Sequence, residues 1–388
     1  MLYPLYFDNH SATQPSEAVL KAMSPYLTNF WGLPTALHQK GQELMPALTT
    51  AFKTIYEFLG ASDDDQVILT SSGAESVNHV INSVYRHTAL AAGKNHFLTS
   101  CVSEAPSIMS INSLQPFGGV GKLIGVNEYG VVTTEAITEL LSSRTALISL
   151  SSANALTGVI QPLEKIAQLC SERGVLLHVD VTHTIGKVYE EISAIGADYV
   201  TFNAQQLHIP RGAGVLYVRK GLPCSPFIYG GTEQGGLRAG AIDMCALVGL
   251  AQALREAHEQ RDFMCMEIAR LRNKLERGIL KNCMGAKVAF SDQDRLPNTT
   301  TIFFPLIMNE AFIFALNRRG LCATIGGGQF QQLAIQLAAM QITPALVHSG
   351  VSFSLSRYTT EEEVDEAITM IVETFSKLMR LSQHLKDS

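Results

Sequence analysis

The chain has no C-x-x-C pair, no block of like charge and no apolar run as long as about 18 residues. Its cysteines, Cys101, Cys170, Cys224, Cys245, Cys265, Cys283 and Cys322, are odd in number and scattered. They read as reduced, buried thiols of a cytoplasmic protein, not as a disulfide framework or a zinc site. A net charge of −6 with no basic cluster argues against nucleic acid and against an anionic membrane surface as partner. Without a long apolar run no membrane-spanning helix is expected. The opening MLYPLYFDN lacks the basic leader and apolar core of a signal peptide. What is present is the balance of a compact protein, 46% hydrophobic and 16% charged over 388 residues, enough for two domains sharing an interface.

Short apolar strands are expected at 67–70, 96–99, 146–150, 175–179, 199–202 and 215–218, because β-branched and apolar residues cluster there between turn residues. Helical spacing of apolar residues fills much of the space between them. Met45, Leu48, Phe52, Ile55 and Leu59 end at Gly60, and a helix over 163–173 ends at Gly174. Near-continuous apolar strands separated by helices predict a mostly parallel sheet covered on both faces. Beyond about residue 245 the pattern changes. One long helix is expected over 247–283, then strands at 300–304 and 351–355, and a final helix opened by Thr360 and Glu363 at capping-box spacing. The expected division is a large α/β domain over 15–250 and a smaller α+β domain made of 1–14 and 251–388.

Candidate chemistry sits at strand ends, where open α/β sheets bind ligands. In Ser71-Ser72-Gly73-Ala74-Glu75 a strand gives way to a helix whose first N–H groups suit a phosphate, although an ordinary capped helix has the same signature. Asp180 closes the apolar stretch His178-Val179-Asp180, where a carboxylate is costly without a partner. The glycine-rich segments around Arg238 and Gly326-Gly327-Gly328 read as turns or close-approach loops. Gly118–Gly121 before Lys122 fails the phosphate-loop pattern, since Pro116 and Leu123 stand where that motif needs Gly and Ser or Thr.

No one of these segments is specific, but their order along the chain is. Asp8-Asn9, Thr70-Ser71, Glu75-Ser76, Gly158-Val159-Ile160-Gln161, His178-Val179-Asp180, Gly186-Lys187, Leu216-Tyr217-Val218-Arg219, Leu237-Arg238-Ala239-Gly240 and Phe353-Ser354-Leu355 together resemble the cysteine desulfurases of the class V aminotransferase group. The resemblance runs over essentially the whole chain. It implies the fold of the type I pyridoxal-phosphate (PLP) enzymes: an α/β large domain with a mostly parallel seven-stranded sheet and a smaller α+β C-terminal domain. It also implies PLP as cofactor, a homodimer with active sites at the subunit interface, and a role in sulfur transfer or iron–sulfur cluster assembly.

The same resemblance exposes departures at the chemical positions. The Schiff-base lysine falls at Gln206, the stacking imidazole at Glu104, and the persulfide-forming cysteine at Gln329. Asn and Arg groups that hold the substrate carboxylate fall at Leu33 and Ser352, and the threonine that reaches the neighbouring subunit's phosphate falls at Ala241. Around the cofactor the matching positions are Ser72, Gly73, Ala74, Asn154, Asp180, His183, Asn203 and Gln205. An amide neither forms an imine nor acts as a base near neutral pH. His208 is a candidate base, weighed against a plain surface-loop histidine. Cys322 reads as a core thiol near a strand, and Lys187 as a lysine not aimed by the 201–214 loop. These departures imply a chain that does not desulfurate cysteine. It would then be a silent homologue pairing with itself, with an active desulfurase or with a sulfur-acceptor protein. The alternative is a residual enzyme or binder holding PLP or its amine form, pyridoxamine phosphate (PMP), without a covalent bond.

Overall fold

The computed structural model describes residues 4–189, 191–328 and 331–387. Seven strands form the main sheet: β2 (Gln66–Thr70), β3 (His96–Ser100), β4 (Val120–Ile124), β5 (Thr145–Ser151), β6 (Leu176–Asp180), β7 (Tyr199–Asn203) and β8 (Gly214–Val218). Their spatial order is β2-β8-β7-β6-β5-β3-β4, parallel except for β8, which runs antiparallel to both neighbours. β5 is buried at every position and β6 at all but its first, the pattern of strands covered on both faces. A three-stranded antiparallel sheet follows, with β10 (Thr299–Phe303) between β9 (Lys287–Val288) and β12 (Gly350–Ser354). The N-terminal β1 (Leu5–Tyr6) pairs in parallel with β11 (Leu321–Cys322). Leu5 and Phe7 accordingly belong to the C-terminal hydrophobic core, packed with residues such as Ile268, Phe304 and Val364.

Local chemistry fixes several boundaries. Gly60 and Gly174 cap their helices in the left-handed conformation, with φ of 63° and 59°. Ser72 accepts a hydrogen bond from the Glu75 N–H and starts the helix Gly73–Ala92. Thr360 and Glu363 exchange reciprocal bonds at 2.9 and 3.2 Å and open the helix Glu361–Asp387. Among the described residues no helix is long and apolar enough to cross a membrane.

The expectation of one helix over 247–283 is corrected. Helix Met244–Glu259 stops at Gln260, a short turn Arg261–Phe263 and a π-helical turn Met264–Ile268 follow, and the helix Ala269–Asn282 resumes. The interruption lies where the chain leaves one core for the next: Ala257 packs in the large-domain cluster and Met264 in the C-terminal one. The wider turn rephases the apolar face between them. Strand β4 was not expected from the pattern. It lies at the sheet edge and buries only Ile124 fully, so it lacks the apolar run that marks the covered strands.

Two glycines seat the β2 turn against the end of β7. A Cβ on Gly214 would lie 2.4 Å from the Ser72 carbonyl carbon, and one on Gly73 would lie 3.0 Å from the Asn203 Cβ. Gly214→Ala is therefore expected to lower stability by about 1–3 kcal/mol, the usual cost of overpacking. Gly125→Ala, which meets nothing within 4 Å, should change stability by less than about 0.5 kcal/mol. Urea denaturation of the two variants checks this.

Candidate functional site

The carboxyl ends of β2, β6 and β7, with the turn after β3, surround a cavity of about 350 Å³. The β2 turn brings Ser72, Gly73 and Ala74 to its wall. Glu104 comes from the start of the helix Ala105–Ser113, Asp180 and His183 from the end of β6 and the loop beyond, and Asn203, Gln205 and Gln206 from the end of β7. The N-terminal segment adds His10 and Ser11, and the C-terminal domain adds Gly326, Gly327, Gln331 and Gln336. Among the described lining residues there are two carboxylates and no lysine or arginine.

Residues 10–16 are stitched to the turn that carries Gln206. The Gln206 Nε2 donates to the His10 carbonyl at 3.0 Å, and the Gln205 Nε2 donates to the Ser11 carbonyl at 2.8 Å. Thr13 Oγ1 donates to the Gln205 carbonyl at 2.6 Å and accepts from the His208 N–H at 3.0 Å. Because Nε2 is the donor to His10, the carbonyl oxygen Oε1 is the free end of the Gln206 amide. It is buried without a hydrogen-bond partner. Gln206 itself is 5% exposed.

Glu104 and His183 face each other in the wall, with the His183 Nε2 3.5 Å from the Glu104 Oε1. Gln331 donates its amide N–H to the other Glu104 oxygen, so the C-terminal domain is latched to this carboxylate. Burial pushes the Glu104 carboxyl up, but His183, by hydrogen bond and by charge, and Gln331 outweigh it and hold the group below the usual carboxylate range. The Asp180 carboxyl is raised by burial, against the pull of the Thr182 N–H that it accepts at 2.9 Å. His10 is pushed down to about 3 by burial and by the neighbouring His183, so its ring is neutral. Its Nδ1 bonds the Ser354 hydroxyl at 2.9 Å. The His183 Nδ1 is buried without a partner.

The structure thus gathers Ser72, Gly73, Ala74, Glu104, Asp180, His183, Asn203, Gln205 and Gln206 around one space and leaves other sequence candidates outside it. Asn154 lies behind the wall, accepting from the Leu156 and Thr157 N–H groups and donating to Gln336 at 3.1 Å. It shapes the turn that carries Ala155 and Leu156 into the lining. Ser352 is fully buried in β12, with its hydroxyl on the Leu156 carbonyl at 2.7 Å. Cys322 ends β11, and the described cysteines are all free. Leu33 is 45% exposed. Lys187 is buried, which pushes its ammonium down to about 8, and it is not part of the cavity wall. Gln329 lies outside the described residues.

The surface-loop reading of His208 is corrected. The residue is 6% exposed, its Nδ1 bonds the Gln14 carbonyl at 2.8 Å, and its ring meets Tyr358 edge-on at 4.9 Å. Burial, with Arg357 nearby, pushes it down to about 4. The loop folds inward because residues 10–16 cover it. His10, Gln331 and Gln336 had no signal in the sequence, since His10 finds Ser354 344 residues away and Gln331 finds Glu104 227 away.

The comparisons with known proteins agree over almost the full length. The family model "Aminotransferase class-V" matches residues 5–367. A cysteine desulfurase of Nostoc sp. is 33% identical over 390 residues, covering 99% of this chain and 96% of the relative. The cysteine desulfurase NifS of Azotobacter vinelandii is 32% identical, covering 98% of this chain and 94% of the relative. A solved structure described as a NifS-like protein superposes with a TM-score of 0.90 at 29% identity, covering 96% of this chain and 99% of the other. The architecture is that of the type I pyridoxal-phosphate enzymes, and pyridoxal phosphate is the family's cofactor. The chain belongs to the class-V aminotransferase family, as a cysteine desulfurase-like member.

Proposed function

We propose that this chain is a homodimeric, cytoplasmic protein that has left cysteine desulfuration and acts as a structural or regulatory member of a sulfur-transfer or iron–sulfur assembly system. Its partner would be an active desulfurase or a sulfur-acceptor protein. The observation that carries the loss of activity is Gln206, an amide at the position of the imine-forming lysine, with its nitrogen committed to the His10 carbonyl. Glu104, Ser352 and Gln329 stand where a stacking ring, a carboxylate-binding guanidinium and a sulfur-carrying thiol would be needed. Loss of one member of a cooperative site removes most of the rate, and here several are absent together. For the dimer, support comes from the exposed apolar residues Leu27, Trp31 and Leu37, 70%, 70% and 93% exposed, on and after the helix Glu17–Thr28.

A second reading is favoured by the cavity itself: the chain still holds the cofactor, without a covalent bond. Ser72 and Asn203 bring polar side chains to the cavity wall. Gly73 and Ala74 begin a helix of 20 residues whose first N–H groups suit a phosphate. Asp180, raised by burial, gains a counter-charge if a protonated ring nitrogen lies beside it. Bound there, the cofactor would supply an electron sink. The two readings are compatible, since occupancy does not require turnover.

Purified protein should release no sulfide from cysteine. With pyridoxal phosphate and borohydride it should yield no specific fixed adduct; a specific adduct on a lysine of the chain would refute the assignment of Gln206. Gln206→Lys should acquire such an adduct at residue 206 and still release no sulfide, as read by peptide mass mapping and a sulfide assay. Light scattering should find a dimer, and Trp31→Glu should shift it toward monomer. Co-elution with an active desulfurase on size exclusion tests the heteromeric partner.

A further inference from the structure

A second cavity, of about 250 Å³, lies where the chain passes from one core to the other. Its walls are the end of the helix Met45–Leu59, the loop from Ile185 to Ser193, and the helix break that holds Ala257, His258 and Arg261. Joints between packed units are common places for small-molecule sites. This cavity shares no lining residue with the one that contains Gln206. The loop and the break are stitched together. Gly186, at φ 70°, sits so close to the helix that a Cβ on it would lie 2.8 Å from the Ala257 Cβ. The Cys265 Sγ donates to the Lys187 carbonyl at 3.2 Å, and the Tyr189 hydroxyl donates to the Asp262 Oδ1 at 2.8 Å.

These contacts orient Arg261. Its guanidinium lies over the Tyr189 ring, 5.4 Å from the centroid, and no carboxylate among the described residues pairs with it. Acids come from the other walls, Glu57 from the helix end and Glu191 from the loop. The Glu57 Oε1 lies 3.6 Å from the Lys53 Nζ, so Glu191 is the acid with no cation of its own among the described residues. Phe58, Val188 and Ile192 give the lining its apolar share. A free guanidinium, a free carboxylate and an apolar surface in one small cavity match the parts of an aliphatic α-amino acid. Its carboxylate can take the guanidinium in a two-bond fork, its ammonium can donate to the glutamate, and its side chain can cover the apolar wall. A simple acid would leave Glu191 without a cation, and a simple amine would leave Arg261 without an anion.

We propose that this cavity is a regulatory site for a small aliphatic α-amino acid, with Arg261 holding its carboxylate and Glu191 its ammonium. The ligand bridges the large-domain loop and the helix break, so its binding stiffens the joint between the two cores. This goes beyond the proposed function and does not depend on what the cavity around Gln206 holds.

Isothermal titration calorimetry of the full chain with L-valine, isovalerate and isobutylamine tests this. Isovalerate is valine without its ammonium, and isobutylamine is valine without its carboxylate. L-Valine should bind at least about fivefold tighter than either, since each analogue forgoes one charge-assisted hydrogen bond. Arg261→Met, which keeps an apolar stem, should remove valine binding. Glu191→Gln, at an exposed position, should bring valine down to the level of isovalerate and serves if Arg261→Met does not fold. Asp180→Asn, in the other cavity, should leave valine binding unchanged. Amide hydrogen exchange over residues 257–268 should slow when valine is saturating. No binding of valine, or an analogue that binds as tightly, overturns the amino-acid site. Valine binding that survives Arg261→Met and Glu191→Gln, or is lost with Asp180→Asn, overturns the placement in this cavity. Binding without slower exchange overturns the coupling to the joint.

Discussion

The site depends on a seam of hydrogen bonds between residues 10–16 and the turn after β7. Gln205, Gln206 and His208 each bond into the N-terminal segment, and the Ser16 N–H closes the seam on the His208 carbonyl at 2.8 Å. Because the segment begins in the C-terminal core through Leu5 and Phe7, the same bonds tie the two cores together at the cavity. Gln206 is part of this tie. A lysine there would offer only an ammonium, whereas the amide spends one end on the backbone and leaves one end free. Residue 206 is thus a structural donor to the N-terminal segment.

Glu104 bears on the field of the cavity more than on its shape. A buried carboxylate is tolerated only when hydrogen-bonded and paired. Glu104 meets that condition through His183 from the large domain and Gln331 from the small one. One side chain therefore sets the local charge and holds Gln331. Ser352 shows the opposite arrangement. A hydroxyl on the Leu156 carbonyl satisfies a fully buried strand position without any counter-charge. A guanidinium at that depth would need a carboxylate partner.

Local rules made much of this legible in the sequence. Gly60, Gly174, Ser72 and the Thr360–Glu363 box behave as their types and spacings dictate, because each acts on groups within a few residues of itself. The strands of the covered sheet were legible for a similar reason, since burial on both faces demands an unbroken apolar run. Features set by distant partners were not legible. The break at Gln260 follows from a change of core, the exposed strand β4 from its place beside β3, and the burial of His208 from a cover supplied by residues 13–16. For the site, the resemblance identified the wall residues of the large domain but not His10, Gln331 or Gln336, whose roles exist only across the domain contact.

What separates a silent scaffold from an occupied one is the state of the empty space. A protein that needs only its outer surface gains by filling an internal cavity with apolar side chains, since each contact recovered adds stability and no buried polar group remains to be satisfied. This chain has not done so. It keeps about 350 Å³ open, with Asp180 at the end of a strand face that also carries the buried His178. Asp180 is the most telling feature, because burial raises its carboxyl against the pull of Thr182 and His183. A carboxyl retained where it costs stability is best accounted for by a cationic partner that binds beside it. The lining therefore accords with the proposed function, a cavity that binds without reacting.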